Sequence, residues 1–463
     1  MPGLDINELS SLQQTFNDAI DAIKEEIRLG DLPELSSTAT TPHPLDDPNI
    51  LVSPRLFEAR RLALGEQMYC AIGQLKYLLQ VPYEKVVEQS LAPYDAACLD
   101  IFIRTGIVDI ILASPRGASL EQIAGDLDLH SHKVRAVLRH LSVQGWVREV
   151  SEDVYCANRS TLTLRPGESG RQWAMTKGKS KVAGSLLDMV THPHWKHSTS
   201  ITHTAFQLGH NTDLSIFEYN KENPAELRQW ATSVKTLGSV YEKTLLHDYP
   251  WRSLKASTFV DCAGGQGYLS IGLAEILPSA SFIVQDLPEV IPLTRENIKR
   301  EAASAVESGR LQAHPADLFK PQTVQADVYT LRYILHDWSD KDCVSILKNI
   351  SLGAKPTSKI LVIDHVAAPA IVSRGSASDG RHIELDDLAG AADYTTITAP
   401  PFIPKNFGAY AYMPVALGTH LMGAFNARER SLTEWRSIVD AAGLRILRVK
   451  PLRAKTSVIE LGL

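Results

Sequence analysis

The second half of the chain alternates short apolar runs with amphipathic segments, beginning near Ser257. STFVDCAGGQG has the pattern of a strand that enters a glycine turn, and YLSIGLAEILP has the pattern of a helix. SFIVQDLP, RLQAHPADLF, ADVYTLRYIL and KILVIDHV continue the series as strands separated by helical segments. This alternation predicts a parallel, doubly wound α/β sheet over residues 251–463. The last two strands, LRILRVKPL and TSVIELGL, should form an antiparallel hairpin at the sheet edge.

The first half is helical and contains one recognisable supersecondary unit. Residues 1–90 are predicted to be N-terminal helices and a linker rich in Pro, Ser, Thr and Asp. Residues 91–165 have the pattern of a winged helix: the helix SLEQIAGDL starts with a capping-box Ser, HSHKVRAVLRHLSVQGWV follows, and REVSEDVYCAN predicts a two-stranded wing. Residues 166–250 are predicted to be a helical connector that lines a substrate pocket.

Composition and charge narrow the possible partners. The 463 residues are 44% hydrophobic and carry a formal net charge of −6, which favours neither nucleic acid nor an anionic membrane as a partner. The second winged-helix segment has only Lys133, Arg135 and Arg139 as candidate DNA contacts, with acids beside them, so we expect a structural or dimerising role. No apolar run reaches the roughly 18 residues of a membrane span. The N-terminus lacks a secretory pattern, so we expect a cytoplasmic protein.

Cysteine and histidine spacing predicts no metal site. The five cysteines are scattered, without metal or disulfide spacing. The connector histidines lack a HExxH pair or a supporting carboxylate cluster; they are His192, His194, His197, His203 and His210.

The segment VDCAGGQG is a candidate cofactor loop. It places Asp261 at a strand end, ahead of Gly264, Gly265 and Gly267. Positions without side chains let the backbone approach a ligand closely, and the N-terminus of the next helix is directed at the same place. Asp286 ends the following strand, about 20 residues beyond the loop, where an acid hydrogen-bonds ribose hydroxyls. These features predict a nucleotide-type cofactor but do not separate NAD from S-adenosylmethionine (SAM).

Later segments resemble the fungal small-molecule O-methyltransferases, which are relatives of the plant caffeic-acid enzymes. They are PADLF, then ADVYTLRYILHDWSDKDC, and finally FNARERSLTEW ahead of the last helix. The resemblance covers about residues 55–463. It implies a class I SAM-methyltransferase fold: a Rossmann-like doubly wound sheet with an N-terminal all-helical, winged-helix dimerisation domain. It also implies SAM as the cofactor and a homodimer.

The resemblance further implies roles for individual residues. His336 would be the general base that takes a phenolic proton, since a pKa near 6.5 suits proton transfer near neutrality. Asp364 and Glu429 stand where the family has two carboxylates that orient this histidine. The implied cofactor-binding residues are Asp261, Gly264, Gly265, Gly267, Asp286, Asp317, Leu318 and Arg332.

The sequence departs from the family pattern at several places. Ala263 occupies the first glycine position of the loop, and Asp364 is one methylene shorter than the usual glutamate. Gly418 stands where many relatives have an acid. A long insertion over residues 370–412 is expected to bring aromatic and apolar residues to the substrate side.

Some fungal relatives of this fold are pericyclases of 2-pyridone alkaloid pathways. They keep the SAM pocket and use it to dehydrate an alcohol to a quinone methide, whose cyclisation they steer by hetero-Diels–Alder or Alder-ene chemistry. The chain resembles them in length, in its insertion and at positions Thr232, Asp337 and Met413. We therefore favour a pericyclase of natural-product biosynthesis that acts on a polyketide- or alkaloid-type small molecule.

In that hypothesis His336 and Asp337 move protons, Thr232 hydrogen-bonds a carbonyl, and Met413 shapes the pocket. The retained His336 also suits the alternative, a SAM-dependent O-methyltransferase acting on a phenolic or pyridone hydroxyl. Asp337 has a structural alternative as well, as the cap of the following helix.

Overall fold

The structure, a computed structural model, describes residues 7–46, 66–176, 178–368, 370, 400, 402–404, 406–452 and 456–463. Most of the predicted insertion over 370–412 lies outside these residues. The chain divides into two units, one comprising Met1–Ser180 and Phe217–Val240 and the other Lys181–Ile216 and Tyr241–Leu463. In the described residues, no helix is long and apolar enough to cross a membrane.

The region before the large sheet is helical, as its sequence pattern predicts. Helix α1 (Glu8–Leu29) starts at Asn7, whose side chain accepts a hydrogen bond from the Ser10 N–H at 3.2 Å. The helices that follow are α2 (Glu66–Leu79), α3 (Pro82–Leu91), α4 (Pro93–Arg104), α5 (Ile107–Leu112), α6 (Leu120–Asp126), α7 (Ser131–Val143), α8 (Arg159–Leu162), α9 (Ser169–Ala174), α10 (Lys179–Gly184), α11 (Leu186–Thr191), α12 (Ala205–His210), α13 (Ile216–Glu222) and α14 (Pro224–Asp248).

The winged helix is present, with one strand more than the sequence predicts. Ser119 caps α6 by accepting from the Gln122 N–H at 3.1 Å. The wing strands are β2 (Arg148–Ser151) and β3 (Val154–Cys156), and a two-residue strand β1 (Ala118–Ser119) pairs with β3 to give the order β1-β3-β2. A strand this short has no periodicity to detect. Its pairing follows from the burial of Ala118 against the core that Leu120, Leu138 and Tyr155 help to form.

Two of the three basic side chains of α7 pair with the same carboxylate of the wing. The Arg135 guanidinium donates to both carboxylate oxygens of Asp153 at 2.8–3.1 Å. Arg139 lies 3.7 Å from the same carboxylate. Two of the three basic side chains considered for DNA contact are therefore held by Asp153.

The large sheet has seven strands in the order β11-β12-β8-β7-β4-β5-β6. The strands are β4 (Thr258–Cys262), β5 (Ser281–Asp286), β6 (Leu311–Pro315), β7 (Val328–Arg332), β8 (Lys359–Asp364), β11 (Arg445–Pro451) and β12 (Ser457–Gly462). Pairings from β6 to β8 are parallel, whereas β12 runs antiparallel to both β8 and β11. The predicted parallel sheet and antiparallel edge hairpin are both confirmed.

Helices cover both faces of this sheet, which explains why its strands are apolar throughout. Alternate residues of one strand enter different cores: Phe259 packs on one side of β4 and Val260 on the other. The covering helices are α15 (Tyr268–Ile276), α16 (Ile291–Glu301), α17 (Ala303–Glu307), α18 (Asp340–Gly353) and α20 (Leu432–Ala441). Helix α19 (Ala409–Phe425) and the parallel two-residue pair β9 (Val366–Ala367) and β10 (Arg430–Ser431) complete the described elements.

The described residues contain no cluster of His, Cys, Asp or Glu arranged to hold a metal ion. All five cysteines are free thiols. Trp195 stacks between two of the histidines considered as ligands, with ring centroids 4.3 Å from His192 and 5.0 Å from His203. These rings are packed together rather than directed at a common point.

Candidate active site

The strand order of the sheet reverses beside β4. From β4 the chain moves to β5 and β6 on one side, and then to β7 and β8 on the other. In open α/β sheets ligands bind at such a switch point, beyond the carboxyl ends of the strands. The predicted site residues Asp286, Arg332 and Asp364 each end one of these strands, so the topology gathers them at one edge.

The glycine loop after β4 combines internal packing with open space. A Cβ on Gly264 would lie 2.7 Å from the Asp261 carboxyl and 2.8 Å from Val284, so packing excludes any side chain there. Gly265 has φ +56°, and a Cβ on it would meet no atom within 4 Å. The backbone at Gly265 therefore borders free volume at the strand edge, which suits close approach by a ligand.

Ala263 is the one loop residue that adopts a left-handed conformation without being glycine. Its φ is +54°, which costs a residue with a Cβ about 1–2 kcal/mol. The departure from the family glycine is therefore felt in the backbone of the loop itself.

Asp286 holds the loop in place. Its Oδ2 accepts from the Gly265 N–H at 2.8 Å and its Oδ1 from the Leu287 N–H at 2.7 Å. Burial raises the pKa of this carboxyl above its ordinary value, while the two backbone donors act in the opposite direction. Each oxygen has a further lone pair, so the carboxylate can accept hydroxyl donors from a ribose as well.

Thr294 and Asn297, which the sequence analysis did not single out, tie the same loop to α16. The Thr294 hydroxyl donates to the Gly265 carbonyl at 2.6 Å, and the Asn297 amide donates to the Gln266 carbonyl at 2.9 Å. Both side chains are buried. The signal was polar residues three apart on the inner face of an amphipathic helix, a spacing that places them side by side.

Asp261 is engaged inside the fold. It accepts hydroxyl hydrogen bonds from Ser270 at 3.0 Å and Thr330 at 2.9 Å. Burial raises its pKa to about 6, against those two donors. The geometry gives Asp261 a role in fixing β4, β7 and α15 together, and its contact with a cofactor stays a prediction.

Three of the four remaining predicted cofactor residues lie at the ends of β6 and β7. Asp317 is half-buried and its Oδ1 accepts from the Phe319 N–H at 2.9 Å, forming a tight turn. Leu318 is held through its carbonyl, which accepts from the Asn349 amide at 3.1 Å. Arg332 is half-buried, with its guanidinium carbon 5.4 Å from the centroid of the Tyr333 ring. Gly267, with φ +79°, begins α15.

His336 lies in a single 3₁₀ turn, Leu335–Asp337, that follows β7. A buried arginine, which the sequence analysis missed, holds this turn in place. The Arg430 guanidinium donates to the Leu335 carbonyl at 2.8 Å, to the Trp338 carbonyl at 2.5 Å and to Asp340 at 2.9 Å. Arg430 therefore hydrogen-bonds backbone carbonyls on both sides of His336 in the chain.

Three carboxylates surround the buried imidazole. Its Nδ1 lies 3.1 Å from Glu429 Oε1, a hydrogen bond, and 3.5 Å from Asp364 Oδ1. Its Nε2 lies 3.7 Å from Asp337 Oδ1. The structure thus brings together four of the five predicted catalytic residues. No described residue donates a hydrogen bond to either oxygen of Asp364, or to Glu429 Oε2.

This arrangement sets the protonation of the cluster. Burial alone would lower the pKa of His336, but Asp364, Asp337 and Glu429 together outweigh it and raise the pKa to about 10. One imidazolium among three ionised carboxylates would still leave a net charge of −2 in a desolvated place, which is costly. Burial accordingly raises the pKa of Asp337 to about 6, and that of Asp364 well above its ordinary value. Near neutrality the cluster therefore holds an imidazolium and an additional proton on a carboxyl group.

The structural alternative for Asp337 is not what the structure contains. Ser339 is the N-cap of α18, its hydroxyl accepting from the Asp342 N–H at 3.3 Å. Asp337 is left beside the imidazole.

The two remaining predicted residues have different surroundings. Met413 is half-buried on α19, the helix whose Gly418 would place a Cβ 3.5 Å from the Glu429 side chain. Thr232 belongs to the other unit of the chain, where it is exposed on α14 and donates its hydroxyl to the Arg228 carbonyl at 2.8 Å. The predicted roles of both residues stay predictions.

Comparison with known proteins agrees with this fold. A family profile, O-methyltransferase domain, matches residues 195–380. The O-methyltransferase xanE of Aspergillus fumigatus is 31% identical over 323 residues, which cover 68% of this chain and 73% of that protein. The O-methyltransferase gedA of Aspergillus terreus is 27% identical, over 89% of this chain and 87% of that one. The chain belongs to the O-methyltransferase family.

Solved structures share the fold at lower identity. The mitomycin 7-O-methyltransferase MmcR matches with a TM-score of 0.63 and 20% identity, over 82% of this chain and 97% of its own. The structure of LepI in complex with SAM matches with a TM-score of 0.65 and 20% identity, over 86% and 93%. The predicted class I methyltransferase fold is confirmed.

The protonation of Asp364 makes a prediction about stability. The pKa of Asp364 is raised in the folded protein, whereas an aspartate of the unfolded chain titrates at about pH 4. Between these two pKa values the native state keeps a proton on Asp364 that the unfolded chain releases. The folded state binds more protons over this window, so the free energy of unfolding should fall as pH rises through it. Asp364→Asn has no titrating group at this position, so its free energy of unfolding should fall less steeply with pH.

Urea unfolding of the wild type and Asp364→Asn at several pH values measures this difference. Asp440→Asn, which removes an exposed carboxyl from α20, is the control and should follow the wild type. Parallel curves for all three proteins would mean that Asp364 is ionised in the folded state.

Proposed function

We propose that this protein is a SAM-dependent O-methyltransferase of fungal secondary metabolism that acts on a phenolic or pyridone hydroxyl of a small molecule. The observation that carries the proposal is the buried His336, hydrogen-bonded to Glu429 and placed at the strand edge that also bears the glycine loop. The names of the sequence relatives support it, because xanE and gedA are both called O-methyltransferases.

The loop after β4 fits an adenosyl cofactor. Gly265 borders open space, and the Asp286 carboxylate beside it retains lone pairs for ribose hydroxyls. Asp317 and Leu318 at the end of β6, and Arg332 at the end of β7, would complete the binding residues. SAM supplies an electrophilic methyl group on a sulfonium centre.

In this proposal His336 manages the substrate proton. Glu429 fixes the orientation of the imidazole through Nδ1, and Nε2 is the nitrogen left to face a hydroxyl. A histidine whose conjugate acid is stabilised by three carboxylates accepts a phenolic proton readily once its own proton has been lost. The hydrogen bonds from Arg430 to the Leu335 and Trp338 carbonyls limit movement of the imidazole away from this position.

A second candidate, the pericyclase favoured by the sequence, has a specific observation behind it. The cluster carries an imidazolium and a protonated carboxyl near neutrality, and such groups can deliver a proton to a leaving hydroxyl. His336 would be that acid, Asp337 would take the proton from the pyridone oxygen, and Met413 would press the reacting carbons into one arrangement. The fold shared with LepI is compatible with this alternative.

SAM binding is the first prediction of the proposal. Calorimetry should show binding of SAM or of its demethylated product, and Asp286→Asn should raise Kd about tenfold or more, because a hydrogen bond to a charged group contributes about 1.5–3 kcal/mol. Asp440→Asn, on the surface of α20, should bind like the wild type. Binding of NADPH with no binding of SAM would rule out the assigned cofactor.

The second prediction separates the two chemistries. The wild type is incubated with methyl-labelled SAM and a panel of phenols and pyridone alcohols. A methyltransferase places the label in the product, whereas a pericyclase returns the SAM unchanged. His336→Ala should slow either reaction by about 10²-fold or more, the usual size of an acid–base contribution.

The same assay examines the pocket. In a pericyclic reaction, Met413→Val should change the ratio of products more than the total rate, since about 1.4 kcal/mol is enough for a tenfold change in ratio. Label in the product would refute the pericyclase alternative. An unchanged rate in His336→Ala would show that the reaction occurs elsewhere.

We also propose that the protein is a homodimer formed by its N-terminal helices. Large apolar side chains are exposed on α2, α3 and α4, among them Tyr77, Leu79, Tyr83, Val86 and Tyr94. Such concentrations are unusual on monomers and mark association surfaces. Light scattering should give twice the chain mass at micromolar concentration, and the double variant Tyr83→Glu, Val86→Glu should give a monomer. A monomeric wild type would contradict the proposal.

A further inference from the structure

Tyr333 combines a strained backbone with contacts to the residues of the site. It follows the last residue of β7 and has φ +55°, a left-handed conformation that is a clear outlier for a bulky side chain. Such a conformation costs about 1–3 kcal/mol and persists only where the surroundings enforce it. The contacts of Tyr333 must therefore hold its backbone in this conformation.

Hydrogen bonds fix both ends of the residue. The Tyr333 N–H donates to the Ile363 carbonyl on β8 at 3.0 Å, which continues the β7–β8 ladder past the end of β7. The phenol oxygen lies 3.0 Å from the hydroxyl of Thr456, which comes immediately before β12. The ring is therefore anchored to the sheet on one side and to the last strand on the other.

The ring lies nearly parallel to His336. Their centroids are 5.7 Å apart with an interplanar angle of 24°. Arg332 places its guanidinium carbon 5.4 Å from the same ring, and the His365 ring lies 5.9 Å away at 37°. An aromatic ring within about 6 Å of a cation attracts it through its quadrupole. One phenol ring thus contacts both the imidazole and the arginine of the site.

We propose that Tyr333 is a positioning residue for His336: its anchored ring sets the plane of the imidazole against Glu429 and favours the imidazolium form. The left-handed backbone is what directs the ring there, because the extended conformation of β7 cannot continue into the 3₁₀ turn that carries His336. The inference rests on the role of His336 in the proposed function.

Other groups also act on the charge of His336, and the test has to separate them from Tyr333. They are Asp337 within the same turn, Asp364 at the end of β8 and Glu429 before β10, while His365 lies on the far side of the Tyr333 contact. None of these side chains is replaced with Tyr333, and Tyr333→Phe keeps the ring's contacts with Arg332 and His365. A shift in the titration of His336 that is seen in Tyr333→Asn and not in Tyr333→Phe therefore reports the ring with its contacts.

Two substitutions isolate the ring from the hydroxyl. Tyr333→Asn removes the ring and keeps a residue that tolerates a left-handed backbone, so folding should be retained. Tyr333→Phe keeps the ring and loses the hydroxyl, and Thr456→Val removes the same hydrogen bond from its other partner. Thermal unfolding of each variant checks that the fold survives.

The first measurement is titration of His336 by NMR in protein labelled at histidine, its signal identified by its absence in His336→Asn. We expect the pKa of His336 to fall by about one unit in Tyr333→Asn, equivalent to about 1.4 kcal/mol and within the range of a desolvated cation–π interaction. Tyr333→Phe and Thr456→Val should stay close to the wild type.

The second measurement is the pH profile of the labelled-methyl assay. Tyr333→Asn should lower kcat about tenfold at its optimum with little change in KM, and should move the profile to lower pH. A His336 titration unchanged in Tyr333→Asn would overturn the inference. If the wild type transfers no label, the proposed methyltransferase function fails, while the NMR titration still decides the role of Tyr333.

Discussion

The site depends on the buried imidazole of His336, which is surrounded by three carboxyl groups, so that its single positive charge cannot balance them all. Glu429, Asp364 and Asp337 all lie within 3.7 Å of His336, and both His336 and Asp364 are buried. A desolvated cluster of this kind is stable only when protons and hydrogen bonds reduce its net charge. The raised pKa values of His336 and of the two aspartates follow directly from that requirement.

The shorter side chain at Asp364 gives this cluster its particular character. Glu429 reaches the imidazole with a hydrogen bond, whereas Asp364 stops at 3.5 Å and has no donor of its own among the described residues. One carboxylate therefore acts as the hydrogen-bond partner of His336, and the other is the place where a proton costs least. The two carboxylates to which the resemblance assigned the same role thus interact differently with the imidazole.

Much of the fold could be predicted because its strands and turns have recognisable local sequence patterns. Strands such as TFVDC and KILVID are apolar on both faces, and the loop VDCAGGQG marks the turn after the first of them. A parallel sheet then gathers the ends of its strands by geometry alone, and Asp286, which the spacing after the glycine loop indicated, ends one of them. Arg332 and Asp364, which the family resemblance implied, end two others. The two-residue strand β1 could not be found, because two residues have no period.

The residues that the sequence analysis missed contact partners far away in the chain, or have a burial or backbone conformation that is unusual for their residue type. Arg430 lies in the charged run NARERS, which is typical of a solvated surface, yet it is fully buried and binds carbonyls about a hundred positions earlier in the chain. Tyr333 sits in an apolar run, and only its backbone angle distinguishes it. Thr294 and Asn297 are polar residues on the inner face of α16, and their role follows only from the loop carbonyls to which they donate.

The position of β12 has a consequence for biosynthesis. This strand is synthesised after every other strand of the large sheet, yet it pairs between β8 and β11, and all of its residues are buried. Until β12 has been synthesised and paired, β8 presents an unpaired apolar edge, the kind of surface that draws nascent chains into aggregation. Closure of the sheet, and with it the placement of Thr456 beside Tyr333, therefore requires β12, and until that strand pairs the open edge of β8 is accessible to chaperones and proteases.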